Sequence, residues 1–337
     1  MKTTVFKAIR DLMFLFIVMM AFSCQQSSQY KIGFLEPNMQ AKRYQKEKEF
    51  FIQKMNELGG EAIVTDANYD EKLQLTQAEA MIKEGVKVLV VNAVNVNTAA
   101  QIVREAHNAH IKVIAYDRLI RNADVDYYLS FDNVKVGKLM AEYVVREKPE
   151  GNYILFGGDK SDNNAVLVKK GQMEVLEPYI KSGKIVITYN IFIEDWSGVN
   201  AAQEMKKYLD LSGKIPDVIL TSYDGLATET IKVLDTYHLA GKILLTGQDA
   251  ELDACRNIVR GKQAMTVFKP FRTQVNAAAS LAMKCAQNKE ISEAASTINN
   301  GKANVPAILL EPIAVDKNNI RNTIIADKYY TEAEIYQ

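Results

Sequence analysis

Cysteine and histidine, the residue types that most often build disulfide frameworks and metal sites, are scarce in this 337-residue chain, which has three of each. His107 and His110 have helical spacing, but no third ligand accompanies them, so no metal and no other cofactor is expected. Apart from Cys24, the cysteines are Cys255 and Cys285, single residues on predicted helices without framework spacing. An oxidising compartment would permit a bridge, but two buried free thiols are the favoured interpretation.

The chain also lacks net charge, because Lys plus Arg and Asp plus Glu both number 41. Without a basic surplus, no nucleic acid partner is expected. No Gly-x-Ser-x-Gly elbow, P-loop or dinucleotide fingerprint occurs in the sequence. Glu194 and Asp195 would be the acids of a glycosidase pair, but adjacent strand residues point to opposite faces. The sequence therefore predicts a protein that is not an enzyme.

Long hydrophobic runs are absent after the first residues. The run from Leu12 to Phe22 follows basic residues and is too short to span a bilayer, so residues 1–23 are predicted to be a signal peptide. Small residues before Cys24 resemble a bacterial lipoprotein cleavage box, although an ordinary signal peptide with a chance cysteine would look similar. We expect Cys24 to be acylated, residues 24–29 to form a polar tether, and the lipid to anchor the protein to a membrane.

Strand and helix alternate along the rest of the chain. Glu61–Thr65, Glu71–Glu84 and Val86–Val91, for example, read as strand, helix and buried strand. Such repetition predicts parallel sheets with helices on both faces, an α/β fold, and the length favours two lobes. Several strands end in polar side chains, where open α/β sheets bind their ligands.

The candidate ligand-binding residues follow these strands. Asp117 and Arg118 combine a carboxylate acceptor with a forked donor, which suits adjacent sugar hydroxyls, although a surface ion pair is the alternative. Asp162 and Asn164 follow two glycines and would bind ligand or cap a helix. Trp196, the single tryptophan, would cover the C–H face of a sugar or lie in the core.

Three further residues are candidates for ligand binding. Tyr223 is an aromatic with the same ambiguity as Trp196. Asp249 ends a strand, and Lys269 follows another. A lone lysine after a strand is usually solvated, so Lys269 gains meaning only where two lobes face each other.

These residues occur in segments that resemble the periplasmic xylose-binding proteins, a group that shares its fold with ribose-binding proteins. The most specific segments are Ile114–Arg118, Ser130–Asn133, Asp162–Ala165, Gly247–Ala250 and Val267–Pro270. The resemblance covers about Lys31 to Lys328. It implies a type I periplasmic binding protein: two doubly wound parallel-sheet lobes, joined by a three-segment hinge, with sugar between them.

Read onto this chain, the resemblance implies a first lobe of 30–133 plus 268–300 and a second lobe of 134–267 plus 301–337. It also adds Arg43 to the ligand-binding residues, a position that the residue pattern does not single out. Two aromatic residues depart from the family's pattern. Tyr223 stands where a ligand-binding Asn is usual, and Tyr44 stands where a Trp usually follows the arginine.

The function that the resemblance implies is capture of a monosaccharide, xylose or a similar pentose, by hinge closure in the periplasm. The expected partner is an ABC permease in the inner membrane. A sensor that presents sugar to a membrane histidine kinase is one alternative, and a sugar-converting enzyme is a weaker one, since it would need a general acid or base beside the anomeric carbon.

Overall fold

The computed structural model describes residues 30–40 and 42–337, and the predicted signal peptide, tether and Cys24 lie outside that part of the chain. Its strands are β1 (Lys31–Glu36), β2 (Glu61–Asp66), β3 (Val88–Val91), β4 (Lys112–Tyr116), β5 (Tyr127–Phe131), β6 (Gly151–Gly157), β7 (Ile185–Phe192), β8 (Val218–Thr221), β9 (Leu244–Leu245), β10 (Thr266–Phe268), β11 (Ser296–Asn299), β12 (Asn304–Leu310) and β13 (Ile313–Val315). Its α-helices are α1 (Lys42–Glu57), α2 (Glu71–Lys83), α3 (Ala100–Asn108), α4 (Asn133–Glu147), α5 (Asn163–Lys181), α6 (Gly198–Ser212), α7 (Asp224–Thr236), α8 (Leu252–Val259), α9 (Phe271–Ala286) and α10 (Glu332–Ile335).

A seven-stranded sheet forms the centre of the first lobe, in the order β11-β12-β5-β4-β3-β1-β2. All neighbours are parallel except β11 and β12. Val88–Val91 is wholly buried, as a strand covered on both faces requires. Phe51 of α1 and Val275 of α9 pack on one face, and Met81 of α2 and Ile102 of α3 pack on the other. The predicted doubly wound arrangement is thus confirmed for this lobe.

The second lobe is built on a four-stranded parallel sheet in the order β7-β6-β8-β9. A bridge between Gln248 and Val267 extends this sheet towards β10, which pairs antiparallel with β13. Val136 of α4 and Val168 of α5 are buried on one face of the sheet, whereas Met205 of α6 and Leu226 of α7 are buried on the other. This lobe is also doubly wound.

The chain passes between the lobes three times: from β5 to α4, from β10 to α9, and from β12 to β13. At the first passage Asp132 caps α4 and accepts a hydrogen bond from the Lys135 amide at 2.9 Å. The family resemblance placed residues 301–337 in the second lobe, and for 304–310 this is wrong. β12 pairs with β5 in the first sheet, so the third passage follows Leu310. Residues of one sheet can be far apart in sequence, which pattern alone does not reveal.

Cys255 and Cys285 are buried free thiols, as predicted. Within residues 30–40 and 42–337, no helix is both long and apolar enough to cross a bilayer.

Candidate functional site

Asp117 and Arg118 leave the end of β4 between the two lobes. Asp117 has a φ of 59°, in the left-handed region that Asp tolerates better than most residues. Its carbonyl oxygen accepts hydrogen bonds from the Tyr128 hydroxyl at 3.0 Å and the Ser130 hydroxyl at 3.1 Å in the first lobe. It also accepts one from the Asn164 amide nitrogen at 3.2 Å in the second lobe. The backbone of Asp117 is therefore fixed by both lobes.

Arg118 links the same loop to its surroundings. Its Nη1 donates to the carbonyl oxygens of Ala93 at 3.2 Å and Val94 at 3.4 Å, just after β3. Its Nε lies 3.9 Å from the Asp162 Oδ2 in the second lobe. The guanidinium is thus held by backbone carbonyls of the first lobe and faces a carboxylate of the second. A surface ion pair, which was the alternative, would not need these contacts.

Asp162 and Asn164 lie at the start of α5. Asp162 caps the helix and accepts a hydrogen bond from the Asn164 amide at 2.9 Å. The Asn164 side-chain oxygen accepts from the Tyr128 hydroxyl at 3.3 Å and from the Asn133 side-chain amide at 3.0 Å. Asp162 therefore caps the helix, which was one of the two alternatives, and both side chains also lie between the lobes, where a ligand would be bound.

Asp249 and Lys269 form an ion pair of 2.7 Å beside the second passage between the lobes. Lys269 is 9% exposed, so its ammonium group is not simply solvated. Asp249 has a φ of 88°, and its amide donates to the Val267 carbonyl at 2.9 Å. The two strand ends that carry these residues are thereby held together.

Arg43 opens α1 and approaches the same place from the first lobe. Its Nη2 lies 3.6 Å from the Asp117 Oδ2, and its Nε donates to the Glu47 Oε1 at 2.6 Å. The charge of Lys269 also acts on the Asp117 carboxyl. Seven of the nine predicted ligand-binding residues, six charged and one amide, therefore form one group between the lobes, called the charged cluster: Arg43, Asp117, Arg118, Asp162, Asn164, Asp249 and Lys269.

Mutual charges tune the acids of this charged cluster. Burial raises the pKa of the Asp117 carboxyl, but Arg43, Lys269 and Arg118 outweigh it and hold that pKa below its ordinary value. Burial also raises the pKa of Asp162, and here the opposing effect of Arg118 is too small to cancel it. Of these two acids, Asp117 is therefore the one that more firmly keeps its negative charge.

Trp196 and Tyr223, the other two candidates, contact each other in the second lobe. Their rings meet edge to face, with centroids 6.1 Å apart and planes at 88°. Trp196 is half-buried and lies over Gly158, where a Cβ atom would come within 2.1 Å of the indole Cζ3. The Tyr223 hydroxyl donates to the Glu251 carboxylate. Burial, reinforced by Glu251, raises the pKa of Tyr223, so its phenol stays neutral.

Glu194 and Asp195 precede Trp196 in a single turn of 3-10 helix. The expectation that these two acids are adjacent residues of a strand is therefore wrong. Asp195 and Trp196 both have positive φ, 55° and 53°. Positive φ is unfavourable for a bulky residue, and such strain is common where a side chain must be aimed at a ligand.

Two buried acids beside Arg43 were missed by sequence reasoning. Glu36 ends β1 and Glu47 lies on the inner face of α1, and both are fully buried. The signal was present, because Glu47, Phe51 and Met55 recur at every fourth residue, and an acid on such a buried face is exceptional. In the part of the chain that the structure describes, no group of three or more His, Cys, Asp or Glu residues could hold a metal ion.

The charged cluster offers carboxylate acceptors and cationic donors within a short distance of one another, which matches the paired donor and acceptor character of sugar hydroxyls. A cavity of about 680 Å³ on the second lobe, bordered by Asp159, Phe192 and Asp195 among others, includes none of the nine candidates in its lining. The candidate site is therefore the charged cluster, where side chains of both lobes converge.

Comparison with known proteins gives the family of the chain. Residues 32–290 match the family model described as a periplasmic binding protein domain. The D-xylose-binding periplasmic protein of Haemophilus influenzae is 43% identical over 314 residues, 93% of this chain and 94% of that protein. The protein of the same name from Escherichia coli is 41% identical over 309 residues, 92% of this chain and 93% of that protein.

Among solved structures, an ABC transporter solute binding protein from Clostridium phytofermentans with bound β-D-glucose has a TM-score of 0.81. It is 29% identical in sequence, and the match covers 90% of this chain and 99% of that one. By family model, by identity to these relatives and by its two doubly wound lobes, the chain belongs to the periplasmic binding protein family, with the type I fold, and within it to the D-xylose-binding periplasmic proteins.

Proposed function

We propose that this protein captures a monosaccharide, D-xylose or a similar pentose, in the charged cluster between its lobes and releases it unchanged to an ABC permease. The observation that carries the proposal is the placement of Asp117 and Arg118. These residues directly follow β4 of the first lobe and contact Asn164 and Asp162 of the second. A ligand held there would touch both lobes at once.

Hinge closure is the mechanism that this arrangement supports. The charged cluster draws residues from both sides of the three passages between the lobes, so a sugar bound to one lobe gains further contacts when the other closes. The free energy for closure comes from contacts that only the closed form makes. The permease then recognises the closed form. Acylated Cys24 anchors the protein in the periplasm to a membrane.

Trp196 supplies the apolar part of the proposed site. Its ring would cover the C–H face of the sugar, while the charged cluster binds the hydroxyl groups. Tyr223 adds bulk beside this ring, and its hydroxyl already donates to Glu251. Since a phenol at this place cannot offer the paired donor and acceptor of an amide, Tyr223 is the residue that we expect to set the preference among sugars.

A thermal-shift panel of pentoses and hexoses tests the proposal. A sugar present at about a hundred times its dissociation constant stabilises the folded state by about 2.7 kcal/mol. We expect D-xylose to raise the melting temperature and to be recovered unchanged after long incubation. A shift with D-glucose instead would keep the site and change the sugar. No shift with any monosaccharide, or conversion of the bound sugar, would contradict the proposal.

A further inference from the structure

Two acidic residues occupy positions of the first lobe that the fold reserves for apolar side chains. Ile32 and Phe34 of β1 pack towards α1, and Glu36, two residues further, is on the same face of the strand. Glu47 precedes Phe51 on the inner face of α1 by one helical turn, and both are fully buried. The two carboxyl groups therefore meet between β1 and α1, below the charged cluster.

The contacts of this acid pair, Glu36 and Glu47, are unequal. Glu36 Oε2 accepts from the Asn92 side-chain amide at 2.9 Å, and Glu47 Oε1 accepts from the Arg43 Nε at 2.6 Å. The remaining oxygens, Glu36 Oε1 and Glu47 Oε2, are buried and accept from no other group in the described part of the chain. The two carboxyl groups are close enough that each affects the pKa of the other.

Two carboxylates in this position cannot both be ionised without strong repulsion, and a single proton between them satisfies both free oxygens. Burial raises the pKa of Glu36, and Glu47 raises it further, against the smaller effects of Asn92 and Arg43. Burial also raises the pKa of Glu47, but Arg43 opposes it strongly. The proton therefore belongs on Glu36, and the negative charge on Glu47 beside the guanidinium.

We propose that Glu36 and Glu47 share one proton and act as a positioning pair that fixes the Arg43 guanidinium in the sugar site. This inference rests on the proposed sugar-binding function. With the proton in place, Glu36 donates to Glu47, and the Glu47 carboxylate holds Arg43 so that its other nitrogen faces Asp117. Loss of the proton leaves two carboxylates beside one guanidinium, pushes the acids apart and draws Arg43 away from Asp117.

Other ionisable groups face the acid pair from the neighbouring elements, and each must be considered in a pH experiment. They are Arg43 and Tyr44 of α1, Tyr116 and Asp117 at the end of β4, and Tyr329 of the C-terminal segment. Burial raises the pKa of each of these tyrosines. As the pH rises from neutrality, we therefore expect the acid pair to lose its proton before any of these tyrosines does.

The experiment compares the dissociation constant for D-xylose at a series of pH values from neutral to alkaline, by calorimetry on the purified protein. Glu36→Leu removes the proton donor, and we expect it to weaken binding about tenfold, the scale of one charge-assisted hydrogen bond. Glu36→Gln keeps a donor that cannot ionise, so it should recover most of the affinity and reduce the alkaline loss seen in the natural protein. Glu49→Gln, on the exposed face of the same helix, is the matched control and should behave like the natural protein.

A second readout does not depend on sugar. In the infrared spectrum of the sugar-free protein at neutral pH, Glu36→Gln should remove part of the band of protonated carboxylic acids, and Glu49→Gln should leave it intact. If the band is unchanged in Glu36→Gln, or if Glu36→Leu and Glu36→Gln bind sugar with the same pH profile as the natural protein, the inference is wrong. If the band behaves as expected but no sugar binds at any pH, the proposed function fails and the shared proton stands.

Discussion

Replacing Asp117 by asparagine is the sharpest single change that the site offers. The shape of the side chain is kept, and Asn tolerates the left-handed φ of 59° at this position. The three hydrogen bonds accepted by the Asp117 carbonyl belong to the backbone and survive the change. What is lost is the negative charge that lies 3.6 Å from Arg43 and near Lys269 and Arg118.

The size of the effect follows from these contacts. A hydrogen bond between a carboxylate and a sugar hydroxyl contributes about 1.5–3 kcal/mol, so the dissociation constant for sugar should rise about tenfold to a hundredfold. Without sugar, the free energy of unfolding should fall by about 1–3 kcal/mol, because three cationic groups lose a common partner. Asp162 and Asp249 stay close to those cations and limit the loss.

The pH dependence of stability provides an independent test of the charge on Asp117. Because the pKa of Asp117 is lowered in the folded protein, its contribution to stability is present above the ordinary carboxyl pKa of about 3.9 and is lost as the pH falls through the lower folded value. In Asp117→Asn this acid-side loss should be smaller than in the natural protein. Urea unfolding at several acidic pH values measures the difference.

Calorimetric titration with D-xylose and urea unfolding at neutral pH are the two main assays. Asp124→Asn is the matched control, because Asp124 is exposed and pairs with Lys302 on the surface, a contact worth about 0–1 kcal/mol. The control should bind sugar as the natural protein does. A folded Asp117→Asn protein that binds sugar with unchanged affinity would refute the assignment of Asp117 to the site.

Two further predictions concern the second lobe and the thiols. Gly158→Ala places a Cβ atom within 2.1 Å of the Trp196 ring, so the ring must move. Sugar affinity should therefore fall, and the fluorescence emission of this single tryptophan should change. An unaltered emission spectrum and an unaltered affinity would contradict this prediction. Burial raises the pKa of Cys285 to about 11 and that of Cys255 still further; since the thiolate is the reactive form, both should resist thiol reagents in the folded protein and react after unfolding. Fast modification under native conditions would contradict their burial.

The alternation of strands and helices was predictable because the sequence carries it locally, in buried apolar runs such as Val88–Val91 and in caps such as Asp162. The sequence pattern does not predict β5. Its five residues, Tyr127–Phe131, contain no β-branched side chain and follow a polar loop, and their place between β4 and β12 is decided by pairing with distant strands. Sheet partners so far apart in the chain leave no local pattern.

The end of the chain shows the same limit. From the sequence, Ala307–Ile313 reads as a single closing strand, whereas in the structure β12 ends at Leu310 and β13 begins at Ile313. Pro312 lies between them, and a residue without an N–H group suits such a break. At this break, the chain leaves the sheet of the first lobe and pairs with β10 in the second lobe.

The candidate site was predictable where charged residues follow strands, as with Asp117, Asp249 and Lys269. Arg43 was reached through family resemblance alone, because a cation at a helix start is usually solvated. Glu36 and Glu47 were not recognised, since their meaning depends on a contact between β1 and α1 that buries both. A charged residue on an otherwise apolar face is the pattern that would have pointed to them.

The measurement that tests the central claim most directly is a crystal structure of the protein grown with D-xylose. The account predicts one sugar between the lobes, with hydroxyl groups within hydrogen-bonding distance of Asp117 and Arg118 from the first lobe and of Asp162 or Asp249 from the second, and with the Trp196 ring against its C–H face. A sugar bound elsewhere on the molecule, or one that contacts a single lobe only while the charged cluster stays closed upon itself, would contradict it.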